Sequence, residues 1–393
     1  MQTYRRSWPR DICVGVPAPR LLYLMNEALF FTTHRLPVAV AARTEGFEVH
    51  VAAPFDADAV AVIEGNGFTY HPIPLDRSGR SVAGELKLLA AFWRLIGAVR
   101  PTLTHHVAMK PVAYGGVVAR LRRVPAVVHA VTGLGYLFIR ETPAARAMRA
   151  AIKRLFRFAL AHRNARVIFQ NADDRALFVD DGLVDPAIAV LIPGTGVDLA
   201  AFAATPEVAG PPVVMFPARL IGDKGFNEFV GAARLLKGEG SDARFVLVGR
   251  TDPVNPTAVD EAAVRRLIDQ GIVEWWGFRR DMAAVLPQAH VVCMPSYREG
   301  LPRVLIEAAA CGRPIVTADV PGCRAIVRDG DNGLLVPARD TARTAAAIRT
   351  LLADPALRRR FGQRGRAIAE AEFGVEAFVA CTLAVYRTVM NAR

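Results

Sequence analysis

The chain has 393 residues, 52% hydrophobic and 22% charged, with 49 Lys and Arg against 37 Asp and Glu, a net charge of +12. That length exceeds one ordinary core and points to two domains, while the composition excludes a disordered, collagenous or low-complexity chain. The basic excess, mostly Arg and concentrated in residues 1–200, predicts attraction to anions: phosphorylated substrates, nucleic acid or an acidic membrane surface. The five cysteines, Cys13, Cys293, Cys311, Cys323 and Cys381, lack a C-x-x-C pair. They read as neither a disulfide framework nor a zinc site and suggest a reducing compartment. The N-terminus has no apolar core of a signal peptide, and no apolar run approaches the ~18 residues of a membrane span. The expected location is cytoplasmic, with peripheral docking on the inner face of the membrane as an extension of that reading.

Residues 1–18 read as a tail. RLLYLM (20–25) reads as a strand, 33–45 as a helix and EVHVAAP (48–54) as a strand. A helix over 80–99 precedes TLTHHV, a helix rich in small residues (111–122) and the strand of PAVVHAVTG. ARVIFQN (165–171) and AIAVLIPG (187–194) are further strands. Residues 200–212, small and proline-rich, form a seam. A second alternation follows, with strands in VVMFPARL, RFVLVGR, IVEWWGF, AHVVCMPS and PIVTADV. Strand and helix alternate throughout, which predicts an α/β fold of two doubly wound, Rossmann-like domains with parallel sheets. The expected boundaries are 19–205, 206–374 and a final helix in 375–393 that packs back on the first domain. Ligands of such domains bind at the carboxyl ends of the strands, in a central cleft.

Two stretches in the second domain carry chemistry. In SYREGLPRVLIEAAACGRPIV (296–316), Pro302 suits the first turn of a helix, and Gly300 allows close backbone approach just before it. The helix N-terminus there attracts anions. Glu299 lies in the loop and Glu307 roughly 7 Å further along the helix, unlike the close pair of a retaining glycosidase, about 5 Å apart. Such acids accept hydroxyl pairs of a long polyhydroxylated ligand, or are simply solvated acids of a capped helix. In FPARLIGDKGFNEFV (216–230), Arg219 follows a strand and Lys224 starts a helix, which suits a phosphate clamp or two surface charges. Together the stretches suit a sugar diphosphonucleotide, cations for the diphosphate and acids for the hydroxyls.

The spacing of Glu299 and Glu307 within EGLPRVLIEAAACGRPIV strongly resembles glycosyltransferase family 4, retaining enzymes of the two-domain GT-B architecture, and Arg219 and Lys224 match that family's cation pair. QNADDRALF (170–178), LIPGTGVDLAAF (191–202) and DVPGCRAIVRDGDNGLLVP (319–337) extend the resemblance over most of the chain. It implies catalytic roles for Arg219, Lys224 and Glu299. The cations would stabilise the departing nucleoside diphosphate, and Glu299 would hold donor hydroxyls with the N–H groups of Gly300 and Leu301. Glu307 would hold the ribose, and Gly249, Arg250, Phe278 and Arg279 would lie where the family holds its base. UDP is the nucleotide it implies. Transfer would be a front-face attack with retention, the phosphate taking the proton, so that catalysis is positioning and charge stabilisation.

The Gly-Gly loop that many members carry after the first strand is replaced here by MNEALFFTTHRLP (25–37). With HHVAMKPVAYGG (105–116) and HAVTGLGYLF (129–138), this resembles bacterial enzymes of capsule, exopolysaccharide or lipid-linked oligosaccharide assembly, whose acceptor is a saccharide on undecaprenyl diphosphate. The acceptor candidates are His34 at a helix start, His106 and Lys110 at a strand end, and Thr132 with Gly133 where many members place a histidine. His105 shares the strand end, and His129 falls off the family position. No metal and no cofactor are expected: the D-x-D pairs Asp56/Asp58 and Asp329/Asp331 lie in turn-like contexts, and the cations replace Mg²⁺. Residues 140–166 carry eight basic side chains and one acid. Arg146, Arg149, Lys153 and Arg157 share one helical face beside a stripe of Met148, Ile152, Leu155 and Ala159, which suits a helix on anionic lipid or one packed in the core. The leading expectation is thus a UDP-sugar hexosyl- or N-acetylhexosaminyltransferase acting on a lipid-linked saccharide. A UDP-sugar 2-epimerase on the same architecture is the alternative, and a nucleic-acid binder ranks last because the aromatics sit in core patterns.

Overall fold

The structure is a computed structural model that describes residues 18–76, 81–133 and 143–392. The expected tail lies outside these residues, apart from Ala18. The chain divides into two compact units, residues 1–169 with 174–192 and 378–393, and residues 170–173 with 193–377.

Among the described residues the first unit holds seven parallel strands: β1 (Arg20–Leu24), β2 (Glu48–Ala53), β3 (Thr69–Pro72), β4 (Leu103–Val107), β5 (Ala126–Val131), β6 (Ala165–Phe169) and β7 (Ala189–Leu191). Their order is β3-β2-β1-β4-β5-β6-β7. The second holds six, β8 (Val213–Pro217), β9 (Arg244–Val248), β10 (Glu274–Trp275), β11 (Val291–Met294), β12 (Ile315–Ala318) and β13 (Gly333–Val336), in the order β10-β9-β8-β11-β12-β13. Every residue of β4, β5, β8, β11 and β12 is buried. Strands covered on both faces read as continuous apolar runs, which is why these were visible in the sequence. The short edge strands β3 and β13 were not.

The helix expected over 33–45 is two helices, Ala28–His34 and Leu36–Thr44, with Pro37 in the first turn of the second. They meet at Arg35, which is buried with its guanidinium over the Phe378 ring, 5.3 Å from the centroid. The chain leaves the first unit at Ile192, not at residue 205. Residues 193–205 belong to the second core: Val197 N donates to the Phe373 carbonyl at 2.9 Å, Arg366 binds the carbonyls of Leu199 and Phe202, and Val197 and Phe202 are buried. The last helix, Val375–Asn391, puts Phe378, Leu383, Tyr386 and Val389 into the core of the first unit. There the Tyr386 hydroxyl meets Tyr23 at 2.8 Å and His105 at 2.5 Å.

Candidate active site

In the second unit the strand order reverses between β8 and β11, with β9 and β10 on one side and β12 and β13 on the other. Open parallel sheets bind ligands beyond the carboxyl ends of the strands at such a switch point. The loops leaving β8 and β11 are locked together there. Lys224 Nζ donates to Glu299 Oε1. The Ser296 hydroxyl lies 2.6 Å from the same oxygen and 3.0 Å from the Asp223 carbonyl, and Tyr297 N donates to that carbonyl at 2.9 Å. Gly225 makes the approach possible: its φ is +82°, and a Cβ would lie 2.3 Å from the Pro295 carbonyl oxygen. The Tyr297 hydroxyl donates to the Glu228 carboxylate in the first turn of the helix Phe226–Gly238, so burial and that acid both push the phenol up.

Behind Glu299, the Gly300 carbonyl accepts from Asn171 Nδ2 at 2.5 Å. Leu301 is buried. Pro302 precedes the helix Arg303–Ala310 as its N-cap rather than standing inside the first turn. Glu307, one turn in, pairs with Arg303 at 2.8 Å. It is buried, which pushes its carboxyl up against the opposing pull of Arg303.

A second group forms where β8, β9 and β10 end. Arg219 pairs with Asp252. Gly249 N donates to the Gly277 carbonyl at 2.8 Å, and the Gly249 carbonyl accepts from Trp275 Nε1 at 2.8 Å. A Cβ on Gly249 would lie 1.9 Å from the Ala218 carbonyl oxygen, so these loops close only on glycine. The Arg250 guanidinium sits over Phe278, 5.4 Å from its centroid, and that ring is 48% exposed. Arg279 instead pairs with its neighbour Asp281 on the surface. The structure thus joins Lys224 to Glu299 directly and groups Gly249 with Gly277 and Arg250 with Phe278. Sequence reasoning passed over Ser296, Asp252, Asn171 and Arg303. The first three touch the candidate residues and the fourth neutralises Glu307.

The expected acceptor residues of the first unit fare differently. His106 lies at the carboxyl end of β4, next to its last residue, but is fully buried and paired in register with His129 of β5, the two rings 5.0 Å apart. Burial holds both imidazoles neutral, that of His129 down to about 3. His34 ends a helix instead of starting one, stacked on Phe30 with centroids 3.9 Å apart. Lys110, after β4, pairs with Glu85 at 2.6 Å and donates to the Asp76 carbonyl at 2.8 Å. Thr132 and Gly133 directly follow β5, half-buried.

The basic helix spans Pro143–Leu160. Arg140, and the side chains of Arg146, Met148 and Arg149, lie outside the described residues. Within them the apolar stripe faces inward: Phe156, Ala159 and Leu160 are buried, and Ile152 and Leu155 pack against the core. Lys153 pairs with Asp181 at 2.7 Å, and Arg157 donates to the carbonyls of Asp181 and Gly182. The stripe is core, and those two cations are engaged within the unit. Among the described residues no group of three or more His, Cys, Asp or Glu is arranged to hold a metal. Asp56 caps a helix by accepting from Ala59 N, Asp329 accepts from Leu335 N, and Asp331 pairs with Arg364. Among the described residues no helix is long and apolar enough to cross a membrane.

Residues 211–354 match the family described as glycosyl transferases group 1, and residues 20–171 match that described as glycosyl transferase 4-like. The chain belongs to these glycosyltransferases. It is 26% identical over 354 residues to the N,N'-diacetylbacillosaminyl-diphospho-undecaprenol α-1,3-N-acetylgalactosaminyltransferase of Campylobacter jejuni, covering 86% of this chain and 91% of that one. It is 26% identical to the UDP-Gal:α-D-GlcNAc-diphosphoundecaprenol α-1,3-galactosyltransferase of Escherichia coli, covering 66% and 68%. Among solved structures, HepE of Anabaena in complex with UDP and glucose superposes with a TM-score of 0.73 at 19% identity, covering 94% of this chain and 99% of that one. Sucrose-phosphate synthase of Thermosynechococcus elongatus gives 0.74 at 22%, covering 96% and 100%. The glycosyltransferase therefore has the GT-B fold, two Rossmann-like domains with parallel sheets.

Proposed function

We propose that this glycosyltransferase moves a hexose or N-acetylhexosamine from a UDP-sugar to a saccharide carried on undecaprenyl diphosphate, with retention at the anomeric carbon and without a metal. The observation that carries the reading is the Lys224–Glu299–Ser296 cluster at the β8/β11 switch point. A lysine ammonium has three donors, so its bond to Glu299 leaves two for phosphate oxygens. Arg219, bound to Asp252 through one nitrogen, keeps the rest of its fork for the same diphosphate. Glu299, held by Lys224 and Ser296, accepts donor-sugar hydroxyls, aided by the N–H groups of Gly300 and Leu301. Glu307 takes the ribose, Phe278 with Arg250 offers a face for the base beside Gly249, and Arg279 reaches its rim.

The acceptor hydroxyl attacks the anomeric carbon on the leaving-group side as the bond to UDP breaks, and the departing phosphate oxygen takes its proton. Arg219 and Lys224 stabilise the charge that grows on that phosphate, the role a metal plays elsewhere. The lipid-linked acceptor is suggested by the printed activities of the Campylobacter and Escherichia relatives. Thr132, Gly133, Lys110 and His34 are the first unit's candidates to meet it, with His106 behind them in the core. The relatives named are transferases, which favours transfer over 2-epimerisation.

The test is UDP release from a panel of UDP-sugars, with and without an undecaprenyl-diphosphate-linked sugar, in the presence of EDTA. Acceptor-dependent release is expected, lost in Glu299→Ala and Lys224→Ala, with an α-linked product from an α-donor. Release that needs a divalent cation, or an inverted product, overturns those parts of the reading. Turnover of a GDP- or ADP-sugar alone overturns the donor.

A further inference from the structure

The helix Val82–Val99 buries Leu88, Phe92, Ile96 and Val99 on one side. It also carries large apolar side chains on its outer side that are exposed among the described residues. Val82, Leu86 and Trp93 fall at helical spacing and are 75%, 60% and 41% exposed, while Leu89 between them packs against the core. Cations surround these side chains. The Arg122 guanidinium sits over the Trp93 ring, 3.9 Å from its centroid, and Lys87, Arg94 and Arg123 are exposed. The adjoining helices continue the pattern: Leu121 is exposed, and Phe158, also exposed, lies under Arg120 at 4.5 Å. Residues 81–133 contain seven Lys or Arg and a single acid, Glu85, already paired with Lys110.

We propose that this face docks the protein on an anionic lipid bilayer, with Leu86 and Trp93 entering the interface and the arginines meeting lipid phosphates. Charge complementarity argues for the occupant: Lys87, Arg94, Arg122 and Arg123, exposed around the apolar side chains, attract an anionic bilayer. Exposed Leu and Trp beside basic residues have the amphipathic form of an interfacial helix, whereas a core-facing helix needs only its first stripe. The inference relocates docking from the helix Pro143–Leu160, whose described stripe is core, to the outer face of Val82–Val99. It uses the lipid-linked acceptor reading for its purpose only, since the exposed stripe and its charges stand without it.

The experiment is co-sedimentation of the full chain with vesicles of phosphatidylcholine, alone or with one third phosphatidylglycerol, containing no acceptor. Binding to the anionic vesicles is expected, weakening as salt rises. The double variant Leu86→Asp, Trp93→Asp should lose roughly tenfold or more in vesicle affinity. The pair Arg94→Glu, Arg123→Glu should lose a similar factor, whereas Arg343→Glu, Arg359→Glu, an equal charge change in the second unit, should not. All three should keep UDP release with a water-soluble short-chain acceptor, so failure of the transfer reading appears in that assay and failure of docking in sedimentation. Equal binding to neutral vesicles, or anionic binding that survives Leu86→Asp, Trp93→Asp, overturns the proposal. So does a dimer that this variant splits while vesicle binding is absent, which would assign the face to a second copy.

Discussion

Replacing Lys224 by Met should damage stability and catalysis by separable amounts. Glu299 and Lys224 have side chains 11% and 21% exposed, so the pair is neither a solvated ion pair nor a dry one. Unit charges 4 Å apart attract by about 4 kcal/mol at an effective dielectric near 20, and removing one partner of a buried pair costs about 3–5 kcal/mol. With part of each group wet, Lys224→Met should cost about 2–3 kcal/mol, because Glu299 keeps the Ser296 hydroxyl but loses its cation. For a unit of this size that is a midpoint shift of roughly 5–10 °C. Calorimetry should show it in the transition that added UDP raises, since ligand linkage marks the unit carrying the site.

Adding Glu299→Gln should return about 1–2 kcal/mol, since a neutral amide needs no cation, and the cycle should give a coupling of that size. Activity should behave otherwise: each single variant loses about 10²–10³ in kcat, as when a preorganised donor is removed, and the double variant recovers none of it. A Lys224→Met enzyme with wild-type midpoint and wild-type kcat would refute the reasoning on both counts. Recovery of kcat in the double variant would reduce the pair to a structural tie.

His129, buried and neutral to about 3 in the fold, titrates near 6.5 once unfolded, so unfolding takes up a proton between those values. Stability should therefore fall with pH below 6.5, by about 1.4 kcal/mol per unit or about 3 kcal/mol at pH 4.5, with His105 and His106 adding in the same direction. Denaturant titrations of His129→Leu should show a shallower slope, and an unchanged slope would contradict it. Gly225→Ala should cost several kcal/mol and most of the activity, because the new Cβ meets the Pro295 carbonyl at 2.3 Å in a left-handed backbone; a stable, active variant would mean the two loops are not locked.

The strands were legible because parallel sheets covered on both faces write themselves as apolar runs, and the candidate site could be placed because Glu299 and Glu307 stand in a recognisable flank. What stayed hidden is contact across sequence. Arg219 finds Asp252 33 residues away, and Asn171 finds Gly300 129 residues away. Neither distance leaves a trace in one sequence. Arg35 falls inside the single helix expected over 33–45, yet it stands between two helices, buried against Phe378, supplied by the last helix. His106 looked like a rim residue because a fully buried strand has no alternation to tell an inward histidine from an outward one. The seam was misjudged because small residues and prolines mark flexible composition, not which core a segment joins.

The two units use charge in opposite ways. In the second, three candidate cations are matched by acids, Arg219 by Asp252, Lys224 by Glu299 and Arg279 by Asp281, and Arg303 is matched by Glu307. Arg250 is offset by an aromatic face instead. Clustered arginines and lysines would repel one another in an empty site, and matched acids remove that cost while holding each donor in place. In the proposed site selectivity would come from geometry, since an anion must offer oxygens where the unused N–H groups already point. In the first unit, residues 81–133 set seven bases against one acid, and Lys87, Arg94 and Arg123 stand exposed beside the apolar side chains of Val82–Val99. That surface suits an extended anion with no fixed shape, which a bilayer is and a sugar nucleotide is not. One net charge of +12 thus divides into a balanced, preorganised site and an unbalanced, unspecific face, and reading it as a single basic patch would have missed both.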